Sequence, residues 1–375
     1  MERRRISVIV SADGSVEARS WSDDARISTA GHRLDLTGLD GRTLRLFDRW
    51  LRKRDRTWSE EELRVFGLLL HRRLFSSDVW AWLLDRFDAA RADGVVIELS
   101  LVFQADAASS RMAALPWEYL CSPDRPGRDG QFLVLTAGLM LSRSVPPGTA
   151  HQPNPDANRV RILPVVGEHG DETLGRVEYE EVEDSLRVAA AACDFDVLDT
   201  CVDATLEQLA GLVRERRPHV LHYLGHARFD DLDGLGSVAL HDPQGGYRWV
   251  DENRLAAAVC SESWAPTVTI LHACEGGAND YDFRYAGLAP ALVRSGVQSV
   301  VAMQYPVLNS TASTFSTALY EALADHQYLD EAVQSARRIT WESVPDDARP
   351  LGLPMLYHRS ARPLIGAAAG QETAR

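Results

Sequence analysis

From residue 160 onward the chain repeats one pattern: a short, almost wholly apolar run, then an amphipathic stretch, then another apolar run. The runs are Val160–Val166, Phe195–Leu198, Val220–Leu224, Val268–Ala273 and Val297–Met303. Helical periodicity falls between them, over 178–192, 204–214 and 285–294. Strands this short and this apolar have no wet face, so they belong to a mostly parallel sheet covered on both sides by helices. In such sheets the reactive groups collect where strands end at their carboxyl termini. Two of the runs end on a reactive side chain: Val220–Leu224 leads into Gly225-His226, and Val268–Ala273 leads into Cys274.

The first part of the chain reads differently. Ile6–Val10, Asp13-Gly14 and Val16–Trp21 form the pattern of a β-hairpin. Ser59 with Glu62 is a capping box that opens a helix carrying Leu63, Val65, Phe66, Leu69 and Leu70. A second helix follows Asp78, with Val79, Trp82, Leu83 and Phe87 expected inward and Asp93-Gly94 at its end, and a strand follows over Val95–Val102. The Pro-rich stretch from Pro146 to Pro155 is the expected linker. Residues 1–157 are therefore expected to form an N-terminal subdomain, 158–365 the main α/β domain, and 366–375 a disordered tail. Two amphipathic helices, one with Phe315, Leu319 and Leu323 and one with Leu329, Val333, Ala336 and Ile339, are expected near the end.

Composition narrows the function. The formal charge is −14, Lys53 is the only lysine, and the arginines are scattered, so the basic stripe of a nucleic-acid binder is missing. No run is long enough to span a membrane, and the apolar stretch after Met1–Arg5 is too short for a signal peptide. Five cysteines without an export signal predict a cytoplasmic protein with reduced thiols.

A thiol beside an imidazole is the minimal nucleophilic pair, because the base raises the thiolate fraction. His226 precedes Cys274 by 48 residues (274 − 226), and the cysteine sits in His272-Ala273-Cys274-Glu275-Gly276. Caspases carry Gln-Ala-Cys-(Arg/Gln/Gly)-Gly with the histidine about 50 residues upstream. The likeness is wider than that signature. The chain resembles the bacterial CHAT family of caspase-like peptidases through Leu115-Pro116-Trp117-Glu118-Tyr119-Leu120, Ala204-Thr205-Leu206-Glu207-Gln208-Leu209, His222-Tyr223-Leu224-Gly225-His226, Ala273-Cys274-Glu275-Gly276, Gly287-Leu288-Ala289 and the 299–307 segment.

That resemblance implies a caspase-like α/β fold with a degenerate caspase-like N-terminal subdomain. It also implies a cysteine endopeptidase with His226 and Cys274 as its dyad and the amides of Ala227 and Cys274 as oxyanion donors. It departs from the family at Ala227, commonly Gly, at His272, commonly Ser, and at Tyr305-Pro306-Val307-Leu308-Asn309, where an acidic residue commonly follows Trp-Pro-Val. Asp199, Asp203, Asp230, Gln304, Tyr305 and Asn309 are the candidates to line the substrate pocket. No cofactor and no metal are expected. A zinc site of His222, His226, His272 and Cys274 is the less favoured alternative, with His222 read as a core histidine. The implied partners are a protein substrate and an activating or sensor protein on another chain, in bacterial antiviral defence or cell-death signalling. The rival reading is a catalytically inactive interaction module on the same fold.

Overall fold

The structure is a computed structural model, which describes residues 2–53, 56–104, 112–126, 129–145, 160–192, 195–230, 235–261, 264–273, 287–305, 308–325 and 328–359. The chain divides into two units, one of Met1–Pro146 with Val344–Met355, the other of Pro147–Ser343 with Leu356–Arg375. The fold is mixed α/β, with mostly parallel sheet flanked by helices. The expected linker and the expected disordered tail lie outside the described residues.

In the first unit, strands β1 (Arg3–Val10), β2 (Ser15–Ser20), β3 (Arg26–Arg33), β4 (Val96–Phe103) and β5 (Leu139–Ser144) run in the order β3-β2-β1-β4-β5. The β1–β2 hairpin pairs Val10 with Val16 across the expected turn, while β1–β4 and β4–β5 are parallel. The capping box forms, with Ser59 and Glu62 bonding each other's backbone amides at the start of helix Glu60–Leu74. The next helix, Ser77–Asp93, is capped by Ser76. Its inward face is Val79, Trp80, Leu83 and Ala90. Trp82 was expected inward; it instead lies under the Arg86 guanidinium, 3.5 Å from the ring centroid. Two tryptophans two residues apart cannot both face the core of one helix, and Trp80 packs edge-on to His71 at 4.4 Å. Val65, on the helix before it, is exposed.

The Leu115–Leu120 motif forms a buried junction in this unit. Trp117 donates its indole N–H to the Met112 carbonyl at 2.9 Å, and the Tyr119 hydroxyl donates to Arg349 C=O at 2.8 Å. Glu118 holds Arg143 of β5 with two bonds, Nε to Oε1 at 2.9 Å and Nη2 to Oε2 at 2.5 Å. Arg143 also donates to the carbonyls of Ala113 and Leu115. Both side chains are almost wholly buried. Removing one partner of such a pair strands the other charge in a low dielectric, which costs about 3–5 kcal/mol. Glu118→Ala is therefore expected to lose about that much stability in a denaturant titration, and Glu118→Leu with Arg143→Met to recover much of it. Equal stability of Glu118→Ala and the parent sinks this account.

In the second unit, β6 (Arg161–Val166), β7 (Asp196–Val197), β8 (Val220–Gly225), β12 (Val268–Ala273) and β13 (Ser299–Met303) lie in the order β13-β12-β8-β6-β7, all pairs parallel. Strand β14 (Pro354–His358) is divided between the two units at Met355. The alternation of β8 shows why its run carries no polar face. Leu221 and Tyr223 share a small cavity with Leu209, Leu255, Val259 and Leu292, from helices Leu206–Arg216, Glu252–Val259 and Leu288–Ser295. His222 points the other way, its Nδ1 3.2 Å from the hydroxyl of Tyr320 in helix Asn309–Asp325. A three-stranded antiparallel ribbon, β9 (Ala227–Asp230), β10 (Leu235–His241) and β11 (Tyr247–Asp251), follows β8 in the order β11-β10-β9. Among the described residues no helix is long and apolar enough to cross a membrane.

Candidate active site

Chain order among the parallel strands of the second unit creates a switch point. From β6 the chain adds β7 on one side, and β8 then pairs with β6 on the other. Ligands of open α/β sheets bind in the crevice outside the carboxyl ends of strands at such a point. His226 is the residue that leaves β8 there. In the β8–β12 register the last pair is Gly225↔Ala273. The next residue on one strand is His226 and on the other Cys274, which lies outside the described residues.

Local packing fixes the histidine. Its backbone turns from β8 into β9 through Gly225, where a Cβ would stand 2.5 Å from the Tyr223 hydroxyl. Gly167, beyond β6, is as tight: a Cβ there would meet Ala239 C=O at 2.3 Å and the same hydroxyl at 2.6 Å. Tyr223 reaches the carbonyls of Ala239 (2.9 Å) and His226 (3.2 Å), tying β8 to the ribbon. The His226 imidazole is buried and its Nε2 lies 2.9 Å from Gly175 C=O. A carbonyl oxygen only accepts, so this bond selects the tautomer with the proton on Nε2 and leaves the Nδ1 lone pair as the basic site. Gly175 was not found by sequence reasoning, because a backbone acceptor carries no side-chain signal.

Ala227 opens β9, the edge of the ribbon. It pairs with Val238, and the bond from Ala239 N–H to His226 C=O makes 227/238 a non-hydrogen-bonded pair. The Ala227 N–H therefore points away from β10, as an amide donor to a bound ligand must.

His222 and His272 take no part in this arrangement. Their rings stack within the sheet's packing layer, 5.7 Å apart and 8° from parallel. Burial pushes His272 to about 4 and His222 well below its ordinary value. His226, four residues along the chain from His222, is about 13 Å on in strand geometry, too far to share one tetrahedral ion with it.

The pocket candidates separate. Asp199 is exposed beyond β7, while Gln304 and Tyr305 are buried just after β13. Asp203, at a φ of 52°, accepts from His169, with Nδ1 to Oδ1 at 2.5 Å. Asp230 ends β9 and Asn309 opens a helix, but their side chains lie outside the described residues. The structure also gathers a group absent from the sequence reading. One ligand atom each of Glu168, Asp203 and His241 lies within 4.8 Å of the others, at the carboxyl end of β6. No spacing announces it, because three separate segments contribute one residue each.

The carboxyl end of this parallel sheet thus carries an imidazole fixed one residue past a strand. The CHAT domain model matches residues 67–365, and the chain belongs to that family. No curated protein matches the sequence. Among solved structures it is similar to the Saccharomyces cerevisiae separase–securin complex at 11% identity and a TM-score of 0.48, covering 96% of this chain. It spans 30% of that separase chain. It is also similar to the Arg-specific cysteine proteinase gingipain R, at 12% identity and a TM-score of 0.44, covering 82% of this chain and 75% of that one.

Proposed function

We propose that the protein is a cysteine endopeptidase that cleaves a specific protein substrate through His226 and Cys274. The observation that carries the reading is the register: Gly225↔Ala273 is the last pair of two adjacent parallel strands, and His226 and Cys274 are the next residues on each. In the reaction, the Cys274 thiolate adds to the scissile carbonyl and a C–S bond forms. The negative charge moves to oxygen, where the outward Ala227 N–H and the Cys274 N–H donate to it. The His226 Nδ1, the unprotonated nitrogen of the tautomer whose Nε2–H donates to Gly175, takes the thiol proton and gives it to the leaving amine as the C–N bond breaks. Water then hydrolyses the thioester by the same route. The protein's place is the cytoplasm, as an effector in bacterial defence or cell-death signalling, with its activating or sensor protein on another chain.

The pH dependence of Cys274 alkylation by iodoacetamide tests the pair, whether or not an activator is present. A thiol paired with an imidazole keeps reacting well below pH 8, and His226→Ala is expected to return it to ordinary thiol behaviour. An identical profile in the two proteins removes the dyad and leaves the inactive interaction module.

The pocket candidates bear on what is cleaved. Asp199, Asp203 and Asp230 are acidic, and Asn309 adds no charge. Arg228, the cation nearest the histidine in sequence, is stacked over the Trp249 ring at 4.5 Å. A pocket for an aspartate side chain needs a buried cation to offset its desolvation. In a positional-scanning library, cleavage after Asp is expected to be poor, with basic residues slightly ahead of uncharged ones. Efficient cleavage after Asp alone overturns this and assigns Arg228 as the pocket cation.

A further inference from the structure

We propose that Glu168, Asp203 and His241 form a binding site for one divalent transition-metal ion, built from residues other than His226 and Cys274. The three ligand atoms, within 4.8 Å of one another, come from three segments at the carboxyl end of β6. Glu168 follows β6, Asp203 precedes helix Leu206–Arg216, and His241 ends β10.

The backbone builds this site before any side chain acts. Ala204 N–H donates to Val166 C=O at 3.0 Å, His241 N–H to Ala204 C=O at 3.0 Å, and Glu168 N–H to Ala239 C=O at 3.4 Å. Each ligand residue therefore lies within one position of a bond that joins its segment to another, so the three are pre-positioned, as a specific site requires. Asp203 holds a left-handed backbone conformation, φ 52°, that costs a non-glycine residue energy and recurs at functional sites.

The side chains supply the chemistry. Glu168 is buried, and its Oε2 lies 2.6 Å from His241 Nδ1, while Oε1 accepts from Gly170 N–H at 3.2 Å. Asp203 Oδ1 accepts from the backbone N–H of His169 at 3.3 Å and from its Nδ1 at 2.5 Å. Two carboxylates this close repel unless a cation sits between them. The histidine Nδ1–H now bridging to Glu168 occupies the position a metal takes when that proton leaves, and metal binding releases such protons. Two carboxylate oxygens and one imidazole nitrogen suit manganese, cobalt or zinc rather than a thiolate-seeking ion, and they leave positions for water. The location agrees, since the switch point between β6 and β8 is where open α/β sheets bind ligands.

The experiment uses the full chain carrying Cys274→Ala, so that its outcome is independent of the proteolytic reading. Manganese(II) is the probe because it avoids thiols. Its loss from the free-ion electron paramagnetic resonance signal is titrated at pH 7.5, with thermal melts alongside. One equivalent is expected to bind and to raise the melting temperature. Glu168→Gln and His241→Ala are each expected to weaken binding by about 10-fold or more, while Glu180→Gln, an exposed carboxylate near Arg176, leaves it unchanged. If Glu168→Gln fails to fold, His241→Ala and Asp203→Asn carry the test. No binding at millimolar manganese, or binding that survives the substitutions at 168, 203 and 241, overturns the site.

Discussion

Replacing either His226 or Cys274 with alanine is expected to lower kcat for peptide cleavage by about 10⁴-fold or more, and replacing both to do no further damage. The two groups act as one unit. The thiol is a poor nucleophile without the base, and the base has nothing to activate without the thiol, so the losses do not add. The structural part of this expectation rests on His226, whose imidazole is buried and fixed through Gly175 C=O. His222→Ala provides the contrast. It breaks the contact with Tyr320 and opens a hole beside His272, so it is expected to lower the melting temperature while the folded enzyme still cleaves. Kinetics settle the matter. A His226→Ala protein that cleaves like its parent, or a double variant far worse than either single one, rules out the dyad as one unit.

Acid is expected to destabilise the protein steeply between pH 6.5 and pH 4. Burial pushes His71, His219 and His272 to about 4, and His222 is also lowered. His219 shows the cause at atomic level, because its Nδ1 accepts the Arg161 backbone N–H at 3.0 Å and must stay unprotonated to do so. In the unfolded chain each imidazole titrates near 6.5. Below that pH the unfolded state binds protons that the folded state refuses. Stability is thus intact above pH 6.5 and falls as pH drops, until the folded groups titrate near 4. Each group adds up to about 1.4 kcal/mol per pH unit within the window, so three or four together remove several kcal/mol by pH 5. Urea titrations at pH 7.5 and pH 5 measure the difference. Stability that stays level across the window contradicts the burial argument.

Much of the second unit was legible in the sequence because its signals are local. A strand buried on both faces is mostly apolar, so β6, β8, β12 and β13 stand out as runs. The capping box at Ser59 and Glu62, and the histidine and cysteine positioned after two such runs, are equally local. The strand β3 and the helix Gly38–Leu51 were not anticipated. β3 alternates between half-exposed and exposed residues, so no apolar run marks it. The helix buries only four residues, one of them Asp48 and one Gly41. The ribbon β9–β11 escaped for a related reason: its strands form from cross-strand pairing that no single stretch displays.

By itself the sequence determined where the parallel strands of the second unit lie and that an imidazole and a thiol follow two of them, because an apolar run and a residue type are read at each position. Tertiary structure alone decided that β8 and β12 are neighbours with Gly225 opposite Ala273, that Gly175 sets the tautomer of His226, and that Glu168, Asp203 and His241 meet. Those facts depend on the order in which strands enter the sheet and on where loops return. Contacts between segments tens of residues apart are fixed by the packing of the whole unit, and no local pattern encodes them.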